Sequence, residues 1–244
     1  MKTAILILSH TQWPYDMMEN TIRETWGKEK DPNVEIYYSL GYGGELKLNS
    51  DTIYAPYFEG YANIGYKTLY AFEHLLTTDF DFLFRPNTSS FVNIPKLNEF
   101  VKTLPNEKYY GGSPIPFNGG GVGDLDKVEG PTVCGSGCGY ILSRDLVQLI
   151  VDNKDKWEHR LIDDLALCKF LHDFGVGMVE CPRVSVHYTE NGEVFSFGKK
   201  LTVDEILNEM HYTTRTGEIR LDIQNPREHS CEIIKTLYNI VYEN

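Results

Sequence analysis

Short apolar runs alternate with amphipathic segments along most of the chain. Runs of strand length are bounded by turn-forming residues, and segments with apolar positions at helical spacing separate them. In chain order the pattern predicts strand 3–9, helix 17–27, strand 34–40, helix 63–77, strand 80–85, helix 94–103, a strand that begins at 109–112, strand 138–142, helices 143–152 and 163–174, strand 176–187, and a mixed or helical tail over 202–244. This alternation is typical of an α/β fold, with a mixed, mostly parallel central sheet flanked by helices.

Length and local composition refine this picture. A chain of 244 residues, 41% of them hydrophobic, can form one large α/β domain, and we predict a single domain over 1–244. The first apolar run, residues 4–8, is too short to span a bilayer and is predicted to be a buried strand. The glycine-rich segment 118–124 cannot form regular structure at low cost, so we predict a mobile loop over a site.

Charge and cysteine content limit the classes of partner and compartment. The 35 acidic residues against 23 basic ones give a formal net charge of −12, which disfavours nucleic acid and anionic membranes and favours a polar or sugar-like partner. The five cysteines, at 134, 138, 168, 181 and 231, are odd in number and include no Cys-x-x-Cys spacing. They predict reduced thiols of a cytosolic protein, not a zinc site or a disulfide framework.

Five sequence blocks, in order, resemble one enzyme family. They are NTIRETWG at 20–27, YANIGYKT at 61–68, FLFRPNTSSFVN at 82–93, SGCGYILS at 136–143, and IDDL at 162–165 with Cys168. These blocks resemble the β-1,3-galactosyltransferase, N-acetylglucosaminyltransferase and fringe family of inverting glycosyltransferases. The resemblance implies a GT-A-like fold with a Rossmann-like nucleotide-sugar-binding half over about 1–110 and an acceptor-binding, catalytic half over about 111–244.

The resemblance also implies a reaction. A hexose or N-acetylhexosamine, with galactose favoured, would move from a UDP-sugar to a hydroxyl of a glycan or glycoprotein acceptor, with inversion. One carboxylate must then take the proton of the acceptor. Asp163 and Asp164 open a predicted helix, where acidic side chains also interact favourably with the helix dipole. The register of the family favours Asp164 as the base and gives Asp163 a supporting or acceptor-binding role.

Candidate donor-binding residues lie on three predicted elements. Ser9 and His10 end the first strand, where α/β sheets bind ligands. The resemblance places Arg23 near the diphosphate, and the alternative is a surface arginine whose stem covers a core tryptophan. Asn63 and Lys67 are four residues apart on a predicted helix and could reach one site together; the alternative is a solvated helix face.

The glycine-containing block at 136–143 is predicted to be a tight turn that leads into a strand. The resemblance places Ser136, Gly137 and Gly139 of this turn beside the acceptor and the donor sugar.

The block at 82–93 departs from the family at Asn87, Thr88 and Ser89. The family usually carries acidic residues there, which hold a divalent cation, whereas neutral oxygen donors are weaker ligands for Mn²⁺ or Mg²⁺. The acidic pair at 79 and 81 precedes the buried strand and is predicted to be a strand-entry turn, at the end of the sheet away from ligands. Three outcomes stay open: an enzyme that requires no metal, weak metal binding through Asn87, Ser89 and His211, or a catalytically inactive carbohydrate-binding protein with the same fold.

Fixed cations can replace a metal if they lie where charge develops on the phosphate. The candidates are Arg85, Lys67, Arg23, the Lys199–Lys200 pair and His211, with His187 as an alternative to His211 for the late histidine of the family.

Two further expectations concern class and location. A Rossmann-type oxidoreductase is disfavoured because no Gly-x-Gly-x-x-Gly follows the first strand. Animal members of the family carry a Golgi anchor with disulfides behind it, and neither is predicted here. We therefore expect a microbial or viral cytoplasmic enzyme, or a soluble catalytic domain trimmed from a larger protein.

Overall fold

A computed structural model describes residues 1–42, 50–119, 128–217 and 225–243. The helices are α1 Tyr15–Glu24, α2 Ile64–Leu75, α3 Ile94–Val101, α4 Arg144–Asp152, α5 Asp163–Asp173 and α6 Pro226–Tyr242. The strands are β1 Thr3–Leu8, β2 Val34–Tyr42, β3 Thr52–Phe58, β4 Phe82–Arg85, β5 Ser90–Val92, β6 Tyr110–Pro116, β7 Val133–Ser143, β8 Val179–Glu180, β9 Val184–Val186, β10 Tyr188–Glu190, β11 Glu193–Ser196, β12 Lys199–Leu201 and β13 Thr213–Thr216. Most of the predicted glycine-rich loop, from residue 120 onward, lies outside the described residues.

The central sheet has seven strands in the order β3-β2-β1-β4-β7-β6-β8. Strands β3, β2, β1 and β4 are parallel neighbours, and β8 is parallel to β6. Only β7 is antiparallel to its neighbours in this sheet, β4 and β6. The structure therefore confirms the predicted mixed, mostly parallel sheet.

Helices cover both faces of the sheet because β1 and β4 are apolar on both faces. Leu6 and Leu83 contribute to a core with residues of α2, α4 and α5. Their neighbours Ile5, Phe82 and Phe84 contribute to a second core with residues of α1, α3 and α6. This alternation follows from the period of two residues along a strand. No helix in the described part of the chain is both long enough and apolar enough to cross a bilayer.

Several elements depart from the prediction, and two of these departures have a local cause. The predicted strand 176–187 is two short strands in different sheets: β8 belongs to the central sheet, and β9 pairs with β13 in the sheet β5-β13-β9. Pro182 lies between β8 and β9 and has no N–H to donate to a neighbouring strand, so the strand ends at this point. Strand β3 was not predicted; it contains Pro56 and lies at the edge of the sheet, where proline is tolerated.

The expectation that all cysteines are reduced thiols is wrong for one pair. Cys134 of β7 and Cys168 of α5 form a disulfide, with 5.5 Å between their Cα atoms. The two residues are 34 positions apart, and only the packing of α5 against β7 brings them together. Cys138, Cys181 and Cys231 are buried free thiols.

Breaking the Cys134–Cys168 bond should lower the free energy of unfolding by about 3 kcal/mol, because the bond restricts a long loop of the unfolded chain. Urea unfolding with and without reductant measures this in the wild type, in Cys134→Ser/Cys168→Ser and in Cys231→Ser. Reductant should shift the midpoint of the wild type and of Cys231→Ser, and leave the double variant unchanged. A wild-type midpoint that does not respond to reductant would contradict the assignment.

Candidate active site

A cavity of about 310 Å³ opens where β1 and β4 end. Besides these strand ends, its wall includes part of β7, the start of α5, the turn before α2 and the first turn of α6. Ligands of open α/β sheets bind at this end of the strands. Asp79 lies at the opposite end of β4, where its carboxylate contacts Lys2 at 2.6 Å, as expected for a strand-entry turn.

The two carboxylates at the start of α5 have different environments. Asp163 is 5% exposed, and its Oδ2 lies 2.6 Å from Nη2 of Arg85. Burial raises the pKa of Asp163 to about 6, while the charge of Arg85 acts in the opposite direction. Asp164 is partly exposed, and its Oδ2 accepts a hydrogen bond of 2.8 Å from the backbone N–H of Gly137. Asp164 is thus the carboxylate that faces the cavity without a cationic partner at ion-pair distance in the described residues.

Arg85 connects three elements around the cavity. Its Nη1 donates to the carbonyl oxygen of Gly137 in β7 at 2.5 Å and to Oδ1 of Asn87 at 2.6 Å, while Nη2 pairs with Asp163 of α5. Burial acts to lower the pKa of Arg85, but the surrounding acidic groups, Asp163 foremost, leave it raised. Arg85 is therefore a fixed, buried cation in the wall of the cavity.

Lys67 is a second buried cation in the wall. Its Nζ donates to Oε2 of Glu59 at 2.7 Å and to the carbonyl oxygen of Ser9 at 2.6 Å. Burial lowers the pKa of Lys67, and the carboxylate of Glu59 opposes this shift. Ser9 and His10 also line the cavity, and the ring Nδ1 of His10 accepts a hydrogen bond from the backbone N–H of Gln12 at 3.0 Å.

Asn87, Thr88 and Ser89 line the cavity where the resemblance implies a divalent cation. The amide oxygen of Asn87 accepts from Arg85, and the backbone oxygen of Ser89 accepts from Thr216 at 2.8 Å. A positive guanidinium thus holds the side-chain oxygen of Asn87, one of the predicted metal ligands. Across the described ranges, no three His, Cys, Asp or Glu side chains form a cluster suited to a metal ion. These donors do not fit a divalent cation.

The predicted glycine turn is an irregularity inside β7. Four residues, 136–139, lie opposite one residue of β6, between the pairs Gly112–Tyr140 and Pro114–Gly135. The extra residues bring Gly137 to the cavity, where a Cβ would lie 2.7 Å from Nη1 of Arg85 and 2.9 Å from Oδ2 of Asp164.

Ser136 and Gly139, the other two predicted site residues of that block, do not line the cavity. The Ser136 hydroxyl accepts a hydrogen bond of 2.9 Å from Arg183. Gly139 lies against the ring of Phe84, which a Cβ would approach to 3.1 Å.

Arg23 also lies outside the cavity wall. Its guanidinium pairs with Glu19 at 2.8 Å and Asp51 at 2.7 Å, and it packs over the ring of Tyr38 at 3.6 Å. The N-terminal part of β3, which was not predicted, supplies Thr52 as a further acceptor at 3.1 Å. These partners account for its position away from the cavity.

Asn63 and His211 are likewise not among the residues that line the cavity. Asn63 ends a 3₁₀ turn and precedes α2, so the expected helical spacing to Lys67 does not apply, and its Nδ2 donates to the carbonyl oxygen of Phe58 at 2.9 Å. His211 is exposed beyond the π-helical turn Glu205–Glu209.

The remaining candidate cations form contacts within or beside the three-stranded sheet β10-β11-β12. Lys199 pairs with Glu205, and Lys200 pairs with Glu193 across the hairpin. His187 is buried, and its Nδ1 accepts a hydrogen bond from the backbone N–H of Phe197 at 2.9 Å. The structure therefore brings together Arg85 and Lys67 alone from the predicted cationic set.

Several cavity residues were not among the predicted site residues, although Tyr61 opens the block at 61–68. They include Tyr15, Glu59, Tyr61 and Arg227. Glu59 lies two residues before the start of the block at 61–68, so an acidic residue close to a family motif was an available signal. Arg227 carried no signal, because it lies in the first turn of α6, far along the chain from every block.

Asp163→Asn should lower the free energy of unfolding by about 3 kcal/mol or more, because it leaves the charge of Arg85 buried without its partner. Asp173→Asn is the matched control: it alters the half-exposed Lys169–Asp173 pair at the other end of α5 and should have little effect. Chemical unfolding at neutral pH measures both. Equal stabilities of the two variants would show that the Arg85–Asp163 pair does not support the fold.

The chain is distantly similar to known proteins, and no family model matches it. The human UDP-GalNAc:beta-1,3-N-acetylgalactosaminyltransferase 1 is 27% identical over 225 residues, covering 79% of this chain and 63% of that protein. Proteins of the same name from Pongo abelii and Sus scrofa match to the same extent. The chain thus spans less than two thirds of the length of these curated relatives. This distant similarity, together with the fold, supports a relationship of the chain to the β-1,3-glycosyltransferase family.

Proposed function

We propose that this protein is an inverting glycosyltransferase that moves a hexose or N-acetylhexosamine from a UDP-sugar to a hydroxyl of a glycan acceptor. One observation carries the proposal. At the ligand-binding end of the sheet, the partly exposed carboxylate of Asp164 is oriented by the N–H of Gly137, in the same cavity as the cations Lys67 and Arg85. A base and positive charge in one cavity are the two elements that such a transfer needs.

The proposed step is a direct displacement. Asp164 takes the proton of the acceptor hydroxyl, whose oxygen attacks the anomeric carbon from the side opposite the diphosphate. The new C–O bond forms as the bond between the anomeric carbon and the phosphate oxygen breaks, so the configuration inverts and UDP leaves. Asp163 is less suited to be the base, because it is 5% exposed and paired with Arg85. We assign it the role of holding Arg85.

We propose that the leaving group is stabilised without a metal ion. Negative charge develops on the diphosphate, and preorganised cations can stabilise it at low reorganisation cost. Three cations of the described part of the chain line the cavity: Lys67 and Arg85, which are paired with buried carboxylates, and Arg227, which is exposed. The hydrogen bond from Arg85 to the Asn87 oxygen supports this proposal, since that oxygen already has a cationic donor.

The donor sugar is proposed to be galactose or its N-acetylamino counterpart. Galactose is favoured by the family that the five blocks resemble. N-acetylgalactosamine is the sugar in the name of the relatives, which also specifies a β-1,3 linkage. Both donors share the UDP group that the cavity cations would bind.

A second candidate is a carbohydrate-binding protein without catalytic activity. The neutral residues at 87–89, where the family carries acidic ones, favour it. Calorimetry separates the two: glycan binding without any UDP binding, with or without Mn²⁺, would support the inactive protein. UDP binding followed by transfer would exclude it.

Asp164→Asn should lower kcat by about 10²-fold or more with little change in UDP affinity, because the variant loses the base and keeps a similar shape. The control is Asp173→Asn on the same helix, which should keep the wild-type rate. UDP release in the presence of donor and acceptor gives the rate, and calorimetry gives the affinity. Unchanged turnover in Asp164→Asn would refute the proposed mechanism.

Removal of divalent metal should leave most activity in place. UDP-, GDP- and dTDP-sugars are screened for transfer and hydrolysis after EDTA treatment, and again with added Mn²⁺. We expect turnover with UDP-galactose or UDP-N-acetylgalactosamine in EDTA, because cavity cations carry the electrostatic role. Strict dependence on Mn²⁺ would overturn the metal-free part of the proposal and leave the transferase assignment intact.

A further inference from the structure

The charges that line the cavity are not equally available to a ligand. Glu59 pairs with Lys67 at 2.7 Å, and Asp163 pairs with Arg85 at 2.6 Å. All four side chains in these pairs are at most 8% exposed. Each pair is close to neutral as a unit. A phosphate that took either cation would have to separate a buried ion pair, which is costly.

Arg227 is the third cation of the wall, and its situation is different. It lies in the first turn of α6, is exposed, and forms no ion pair with a carboxylate among the described residues. Its guanidinium carbon lies 6.0 Å from the centre of the ring of Tyr15, which also lines the cavity. The charge also acts on Tyr61, whose pKa is raised mainly by a hydrogen bond with Tyr15 and lowered in part by Arg227. The side chain thus lines the cavity, and no carboxylate in the described part of the chain pairs with it in competition with an anion.

Charge balance shows what Arg227 contributes. Without it, the carboxylates of Glu59, Asp163 and Asp164 outnumber Lys67 and Arg85, so the cavity wall would carry a net negative charge. Such a wall repels a diphosphate. With Arg227 the charges of the described lining residues balance, and this positive charge is exposed to solvent, where an incoming anion meets it first.

We propose that Arg227 binds the diphosphate of the nucleotide donor and stabilises the charge that develops there as UDP leaves. The inference rests on the proposed glycosyltransferase function and assigns a residue to one part of it. The planar guanidinium offers a pair of N–H donors that match two phosphate oxygens, which the ammonium of lysine does not. Because Arg227 belongs to α6, a helix outside the five sequence blocks, this part of the chain would complete the donor site.

Arg227→Gln tests the assignment through a comparison of ligands. Calorimetry in EDTA measures the Kd of UDP, UMP and uridine for the wild type and the variant. We expect a loss of about 10- to 100-fold for UDP, the range of a charge-assisted hydrogen bond, and little change for uridine. Arg227→Lys should recover part of the loss, because it restores the charge without the planar geometry. With the cognate UDP-sugar, kcat should also fall in Arg227→Gln.

Lys235→Gln is the matched control, since it removes one positive charge from an exposed position of the same helix, away from the cavity. It should bind UDP as the wild type does. If Arg227→Gln also binds UDP normally while the wild type transfers sugar, the role of Arg227 is refuted and the proposed function stands. If the variant loses uridine affinity as much as UDP affinity, Arg227 maintains the shape of the cavity and does not bind the diphosphate. A wild type that binds no UDP and turns over no UDP-sugar would refute both proposals.

Discussion

The buried ion pair between Arg85 and Asp163 is the interaction on which the site depends. It joins the end of β4 to the start of α5, and the same guanidinium reaches Gly137 in β7 and Asn87 in the following turn. Removing two charges from water is expensive, so the pair is tolerated only because several hydrogen bonds accompany it. Those bonds hold three elements at fixed positions around one cavity.

This pair also determines what its neighbours can do. Because Asp163 is committed to Arg85, the adjacent Asp164 is left to face the cavity, oriented by the N–H of Gly137. Because Asn87 accepts from Arg85, its oxygen is already committed to a cation. A side chain at 137 would displace Arg85 or Asp164, since its Cβ would come within 3 Å of both. Asp164, Arg85 and the turn at Gly137 are therefore one packed unit, in which a change to one member alters the others.

The second ion pair, Glu59–Lys67, has the same character on the β1 side of the cavity. Two neutralised pairs make a wall that is ordered but weakly charged. The disulfide between Cys134 and Cys168 links β7 to α5 behind this wall. It joins the two elements that provide Gly137 and Asp164, so the orientation of the proposed base has covalent support.

The sequence by itself determined the class of fold and most of the candidate chemistry. Strands 3–8 and 82–85 are apolar on both faces, and a parallel sheet covered by helices is the arrangement that buries such strands. The ordered blocks also indicated Asp163, Asp164, Arg85 and Lys67 as candidate site residues, because a motif consists of residue types at fixed spacing along the chain. Tertiary structure alone decided which of these charges are paired, that Cys134 meets Cys168, that Arg23 is held away from the cavity, and that Arg227 reaches it. The physical reason is that ion pairs, disulfides and cavity walls depend on distances between residues far apart in the chain, which hydrophobic periodicity does not specify.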